Sequence, residues 1–168
     1  MEIEIAPMQL ADLEQIKDSL LEEFDDFWTF TMLKQELENK NNLNSTYFVV
    51  KGNEEIVGFA GIVKIVDEID IMNIVVKKSK RKLGIGSALL QKIIEFSKEQ
   101  KATSITLEVN YKNNPAIALY QKFGFKQVGL RKKYYHNTDD AILMTLSIEE
   151  ETNEKNKWIK LQRFTSSM

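Results

Sequence analysis

Residues 75–90 read VVKKSKRKLGIGSALL. The β-branched pair Val75–Val76 closes DEIDIMNIVV (67–76), which turns and then runs as a strand. From Ile85, apolar residues fall at 85, 89, 90, 93, 94 and 96, the stripe of a helix that runs to about Gln100. TSITLEV (103–109) then alternates as a second strand, so the helix makes a crossover between the two. Between strand and helix stand Lys77, Lys78, Lys80, Arg81 and Lys82, then Gly84 and Gly86. A helix start leaves several backbone N–H groups without partners, and the helix dipole adds positive potential. Glycine lets a ligand approach the backbone closely. Phosphate or pyrophosphate is the natural guest of such a junction. The same residues also read as a glycine-punctuated turn with a solvated basic face.

Outward from this junction the chain alternates between strand and helix periods. Residues 2–6 alternate as a short strand. Leu13, Ile16, Leu20, Leu21 and Phe24 place a helix over 11–24, and 30–38 reads as a second, ended by the Asn-rich NKNNLN. TYFVVK (46–51) and IVGFAGIVKIV (56–66) are strands joined by the turn GNEE. Asn114 is an N-cap candidate, with Pro115 opening a helix that stops at Gly124. FKQVGLR (125–131) and AILMTLSI (141–148) close the fold. The order is β-α-α-β-β-β-α-β-α-β-β, an α/β (α+β) domain over residues 1–149 with one mixed, mostly antiparallel sheet flanked by helices. Residues 150–168 form a tail that is either solvated or docked as a short helix through Trp158, Ile159, Leu161 and Phe164.

The chain has 168 residues, 43% hydrophobic and 29% charged, as in an ordinary globular domain. With no cysteine it has no thiolate metal site, disulfide scaffold or cysteine nucleophile, and it suits a reducing compartment. The N-terminus MEIEIAPMQL lacks the pattern of a signal peptide, and no apolar run approaches the roughly 20 residues of a membrane span. A cytoplasmic protein with no membrane or metal partner is expected. The net charge of −2 does not point to nucleic acid. Oligomeric state is not legible in the sequence.

Three phosphate-binding patterns can be compared at the junction. The P-loop G-x-x-x-x-G-K-[ST] is absent, and G-x-G-x-x-G fails because residue 89 is Leu. Arg81-Lys82-Leu83-Gly84-Ile85-Gly86 fits a third, [QR]-x-x-G-x-[GA]. A second constellation follows in LEVNYKNNPAIALYQKFGF (107–125). Ile105, Leu107 and Val109 share one strand face, so Thr106 and Glu108 point to the other. Tyr120 lies on the next helix. Singly, Glu108 reads as an exposed strand carboxylate and Tyr120 as a core aromatic.

Taken together, RKLGIGSALL, ITLEV, NNPAIALYQKFGF and YYHNTDDAILMTL resemble the GNAT acetyltransferase superfamily. With FWTFTMLKQEL, YFVV, VGFAG and MNIVV they cover nearly all of the chain except the tail. More narrowly, residues 1–148 resemble the bacterial RimI-type enzymes, which acetylate the N-terminal alanine of a small-subunit ribosomal protein. The resemblance implies the GNAT fold, acetyl-CoA as co-substrate and a protein N-terminal peptide, ribosomal in origin, as acceptor. It implies that Ile74, Val75 and Val76 pair with the pantetheine arm. It implies that Arg81, Lys82, Leu83, Gly84, Ile85, Gly86 and Ser87 cradle the pyrophosphate, and that Asn113 hydrogen-bonds the cofactor. Glu108 is then the general base and Tyr120 the general acid. Lys77-Lys78-Ser79 departs from the usual His-Pro, and Asn110 stands where an Arg often follows the LEV strand.

An amine must lose a proton before it attacks a thioester. At neutral pH this costs about 1 kcal/mol for an α-amine and roughly 4–5 kcal/mol for a lysine. One carboxylate is a sufficient base for the easier case. Glu22, Glu23, Asp25 and Asp26 either steer a basic peptide toward the groove or solvate a helix end. Tyr134 and Tyr135 line that groove or pack at the sheet edge. His136, the only histidine, reads as a loop residue in KKYYHNTDD. The rival readings are a small-molecule amine or protein lysine as acceptor, and a CoA-binding module without turnover.

Overall fold

The computed structural model describes residues 1–24, 27–39, 44–135 and 138–148. Asp25, Asp26, the side chain of Tyr135, His136 and the 150–168 tail lie outside the described residues. Seven strands, β1 (Ile3–Pro7), β2 (Ser45–Gly52), β3 (Glu55–Ile65), β4 (Glu68–Val76), β5 (Ser104–Asn110), β6 (Lys126–Tyr135) and β7 (Asp139–Ser147), form one sheet in the order β1-β2-β3-β4-β5-β7-β6. Its neighbours run antiparallel except β4 and β5, which are parallel and joined through helix α3 (Ile85–Glu99). The expected mixed sheet and its single crossover are what the structure has.

Two apolar cores lie on opposite faces of the sheet. Ile85, Leu89, Leu90 and Ile93 of α3 pack on Ile69, Ile71, Ile105 and Leu107. Tyr120 and Phe125, within and just after α4 (Asn114–Lys122), complete that core. On the other face Leu13 of α1 (Leu10–Gln15) and Leu33 of α2 (Phe30–Glu38) pack on Tyr47, Val49, Phe59 and Val75. The strand alternation of 103–109 predicts this division, since an apolar face on β5 needs a helix layer above it.

Three expectations are corrected. The helix expected over 11–24 stops at Gln15, and a single wide turn, Leu20–Phe24, follows. Leu13, Ile16, Leu20 and Phe24 are buried as the periodicity requires, but Leu21, expected on the same stripe, is exposed. Between them, however, the Ser19 hydroxyl and the Ser19 amide both donate to the Ile16 carbonyl, at 3.3 and 3.1 Å. A serine that bonds its own backbone competes with the helical ladder. Next, the cap of α4 is Asn113, not Asn114: its side chain accepts from the Ala116 amide at 3.3 Å. Last, 132–135 is not loop but the end of β6. Edge exposure removed its alternation, and Lys133 at φ 53 makes the irregular step there, its amide donating to Asp140 Oδ1 at 2.9 Å.

The sheet is also bent where it matters. The β3–β4 register slips between Gly61 and Ile62, leaving Met72 as the extra residue of a bulge. At Gly61 a Cβ would stand 2.4 Å from the Tyr47 ring, which crosses the strand there. Gly61→Ala is therefore expected to destabilise the domain by about 1–3 kcal/mol, read as a lower urea midpoint; an unchanged midpoint would mean that the ring has room to move.

Candidate active site

Parallel pairing of β4 with β5 runs from Glu68–Ser104 to Ile71–Leu107 and ends there. β4 continues on β3 to Val76, and β5 continues on β7 to Asn110. The two strands separate, and a cleft of about 1030 Å³ opens between them. Ile74, Val75 and Val76 form one bank, and Glu108, Asn113 and Tyr120 lie on the other. Of the residues expected at the site, only Leu83 does not line the cleft; its side chain is 61% exposed.

The basic loop closes one end. After a short 3₁₀ turn at Lys78–Lys80, Lys82 and Gly84 both adopt left-handed conformations, φ 64 and 84, and α3 begins at Ile85. Nothing stands within 4 Å of where a Gly84 Cβ would project, so glycine is set there by its φ and not by crowding. The first amide to close an intrahelical bond is Ala88, onto the Gly84 carbonyl at 3.0 Å. The amides of Ile85, Gly86 and Ser87 precede it, and no side chain caps them. Lys80, Arg81 and Lys82 line the same end. This donor set fits a pyrophosphate.

Lys77 is spent differently. Its ammonium forms ion pairs with Glu55 and with Glu23, the latter at 3.3 Å, tying the end of β4 to the start of β3 and to the wide turn before α2. The bond to Glu55 pushes the Lys77 amine up and holds the Glu55 carboxyl below its usual range. Glu23 is thereby engaged in an ion pair one residue before Phe24, which lines the cleft.

Glu108 and Thr106 face away from α3, toward the side of α1 and α2, as strand parity requires. Glu108 Oε1 accepts from Arg131 Nη2 at 3.1 Å, and the Arg131 guanidinium lies 4.8 Å from the centre of the Tyr134 ring. Tyr134 lines the cleft. Tyr120 is buried, its ring 5.8 Å from that of Phe125. Asn113 uses its carbonyl oxygen as the α4 cap, which leaves its amide nitrogen as the donor toward the cleft. Asn110 donates to Asp139 Oδ2 at 3.0 Å and fastens β5 to β7 beside the site. Arg131 was not legible as a site residue, because helix α4 separates it from Glu108 in sequence and β7 separates their strands in the sheet. Phe24, Phe27 and Trp28 also line the cleft; the aromatic content of FDDFW is their only signal. No group of three His, Cys, Asp or Glu that could hold a metal occurs among the described residues, and no described helix is long and apolar enough to cross a membrane.

The model of the acetyltransferase (GNAT) family matches residues 13–125. This chain belongs to the GNAT family. A Bacillus subtilis protein with the provisional name ribosomal protein bS18-alanine N-acetyltransferase is 33% identical over 144 residues, 85% of this chain and 94% of its own length. An N-alpha-acetyltransferase of Sulfurisphaera tokodaii is 34% identical over 121 residues, 64% of this chain and 72% of its own. The crystal structure of the Escherichia coli ribosomal-protein-S18-alanine N-acetyltransferase superposes with a TM-score of 0.77 at 26% identity, covering 89% of this chain and 97% of that one. The protein is thus an acetyltransferase of the RimI-like kind in fold and sequence, and GNAT enzymes take acetyl-CoA as co-substrate.

One cleft carboxylate stands apart. Asp70 has no hydrogen-bond or ion-pair partner among the described residues, and burial, then the Glu68 charge, push its carboxyl up. A carboxyl raised in the folded state costs stability as pH rises from its unfolded value through the folded one. Asp70→Asn should raise Tm at pH 7 by about 1–3 °C after solvent screening. The gain should fade as pH falls below the ordinary 3.8; a gain independent of pH would contradict this cause.

Proposed function

We propose that this GNAT enzyme transfers the acetyl group of acetyl-CoA to the free α-amine of a protein N-terminus, alanine first among residues and a ribosomal protein first among substrates. The observation that carries the reading is the cleft itself, which passes through the sheet with an anion-binding loop at one end and Glu108 facing the other side. The names of the bS18-alanine and N-alpha-acetyltransferase relatives support an α-amine over a lysine.

Acetyl-CoA supplies an acetyl group on a thioester. The separated edge of β4 at Ile74–Val76 offers backbone donors and acceptors that an extended pantetheine arm can pair with, as an added strand would. The amides of residues 85–87 and the Arg81 and Lys82 side chains hold the pyrophosphate. Glu108, oriented by Arg131, takes the proton of the attacking amine. A backbone amide at Val75 or Val76 stabilises the charge that develops on the carbonyl oxygen. Tyr120 returns a proton to the departing sulfur.

Glu108→Gln and Tyr120→Phe should each keep acetyl-CoA affinity and lower kcat by about 10²–10⁴ fold; wild-type turnover in either would remove that residue from the mechanism. Thiol release from acetyl-CoA tests the acceptor. The comparison is a basic hexapeptide with free N-terminal alanine, the same peptide blocked at its terminus with an internal lysine, and spermidine. Release with the free alanine terminus alone is expected. Release with the blocked peptide or spermidine would keep the chemistry and overturn the acceptor.

A further inference from the structure

Among the described residues two carboxylates line the cleft, Glu108 and Asp70. Glu108 has Arg131 as its ion-pair partner. Asp70 is partly buried and has no partner among the described residues, and the chemistry above does not use it.

Its placement says which half of the cleft it serves. Ile69 and Ile71, on either side of it, pack into the core under α3, so strand parity turns Asp70 to the face that Glu108 shares. The Met72 bulge comes after it and leaves this parity undisturbed. Across that face Val63, Asp70, Thr106, Thr145 and Lys126 stand in register. The Thr106 and Thr145 hydroxyls bond each other at 3.1 Å. Lys126 is three strands from Asp70, about 14 Å away. Lys64, next to Val63, turns to the other face and donates to the Gln100 carbonyl at 3.1 Å. On the covering helix α2, Lys34 is paired with Glu38. Lys80, Arg81 and Lys82 line the opposite end of the cleft, beyond Val76 and roughly 20 Å along β4. Burial and the Glu68 charge push the Asp70 carboxyl up, and a bound cation would reverse that direction.

We infer that Asp70 is the counter-ion for a cationic side chain, lysine or arginine, on the second or third residue of the acceptor peptide. Thr106 is opposite Asp70 and Glu108 is two residues further along β5, so roughly 8 Å separates the two acidic Cα positions. In an extended peptide the second and third residues lie about 3.5 and 7 Å beyond the first. With the first amine at Glu108, a long cationic side chain on either covers the distance. The α-amine itself is not the partner of Asp70. It must give up its proton at Glu108, and a second carboxylate would hold that proton on. Asp70 is therefore a specificity residue that favours basic N-terminal segments. This rests on the N-terminal reading above and narrows its acceptor.

The test uses the full chain and its Asp70→Asn variant with amidated, alanine-initiated hexapeptides that are neutral beyond the terminus or carry one arginine at the second, third or sixth position. Arginine supplies the charge without a second acceptor amine. For the wild type, arginine at the second or third position should raise kcat/KM about tenfold over the neutral peptide. In Asp70→Asn that ratio should fall below about twofold, while arginine at the sixth position gives the same ratio in both proteins. The KM for acetyl-CoA should not move. Equal ratios in both proteins at every position overturn the inference alone. So does an equal loss for all four peptides, which would place Asp70 in the proton transfer beside Glu108. A wild type that acetylates spermidine but none of the peptides overturns the N-terminal reading, and this inference with it.

Discussion

The end of the β4–β5 ladder at Ile71–Leu107 is the constraint on which the rest of the site depends. A parallel pair in mid-sheet is expected to hold its register to the strand ends, because buried backbone groups left unpaired are costly. Here β4 stays on β3, β5 stays on β7, and the gap between them goes unpaired by protein. The Met72 bulge lies where the two strands begin to separate, and the Tyr47 ring lies against Gly61 at the same level of the sheet. The opened edge of β4 is then a strand-like template, and the N-terminus of α3 sits at the end of that same strand, because the crossover must start there.

Charge is arranged around this opening in two separate sets. Lys80, Arg81 and Lys82 line the cleft and raise the potential where an anion is to sit. Lys77, only three residues before Lys80, is bound to Glu23 and Glu55 and acts as a fastener between the wall of the acceptor side and the root of the loop. Four of the five basic residues that look alike in the sequence thus divide by geometry, and of the acidic ones Glu23 belongs to the fastener.

Much of this was legible from residue order alone. Alternation in 103–109, the stripe from Ile85 and the glycines at 84 and 86 report local conformation directly, so the crossover and the loop follow from them. The wide turn at Leu20–Phe24 was not legible, because Leu13, Ile16, Leu20 and Phe24 keep helical burial while Ser19 diverts the hydrogen bonds. The length of β6 was hidden because an edge strand exposed on both faces has no alternation to read. Arg131 was hidden for a different reason: it matters only through Glu108, a neighbour on another strand.

The central claim is that the gap between β4 and β5 is where the donor crosses the sheet to meet the acceptor. The most direct measurement is a crystal structure with a conjugate of CoA and an alanine-initiated peptide. The account predicts the pyrophosphate on the amides of residues 85–87, the pantetheine arm paired along Ile74–Val76, and the peptide on the α1/α2 face beside Glu108. A conjugate lying outside the gap, or entering with its peptide on the α3 side, would contradict it.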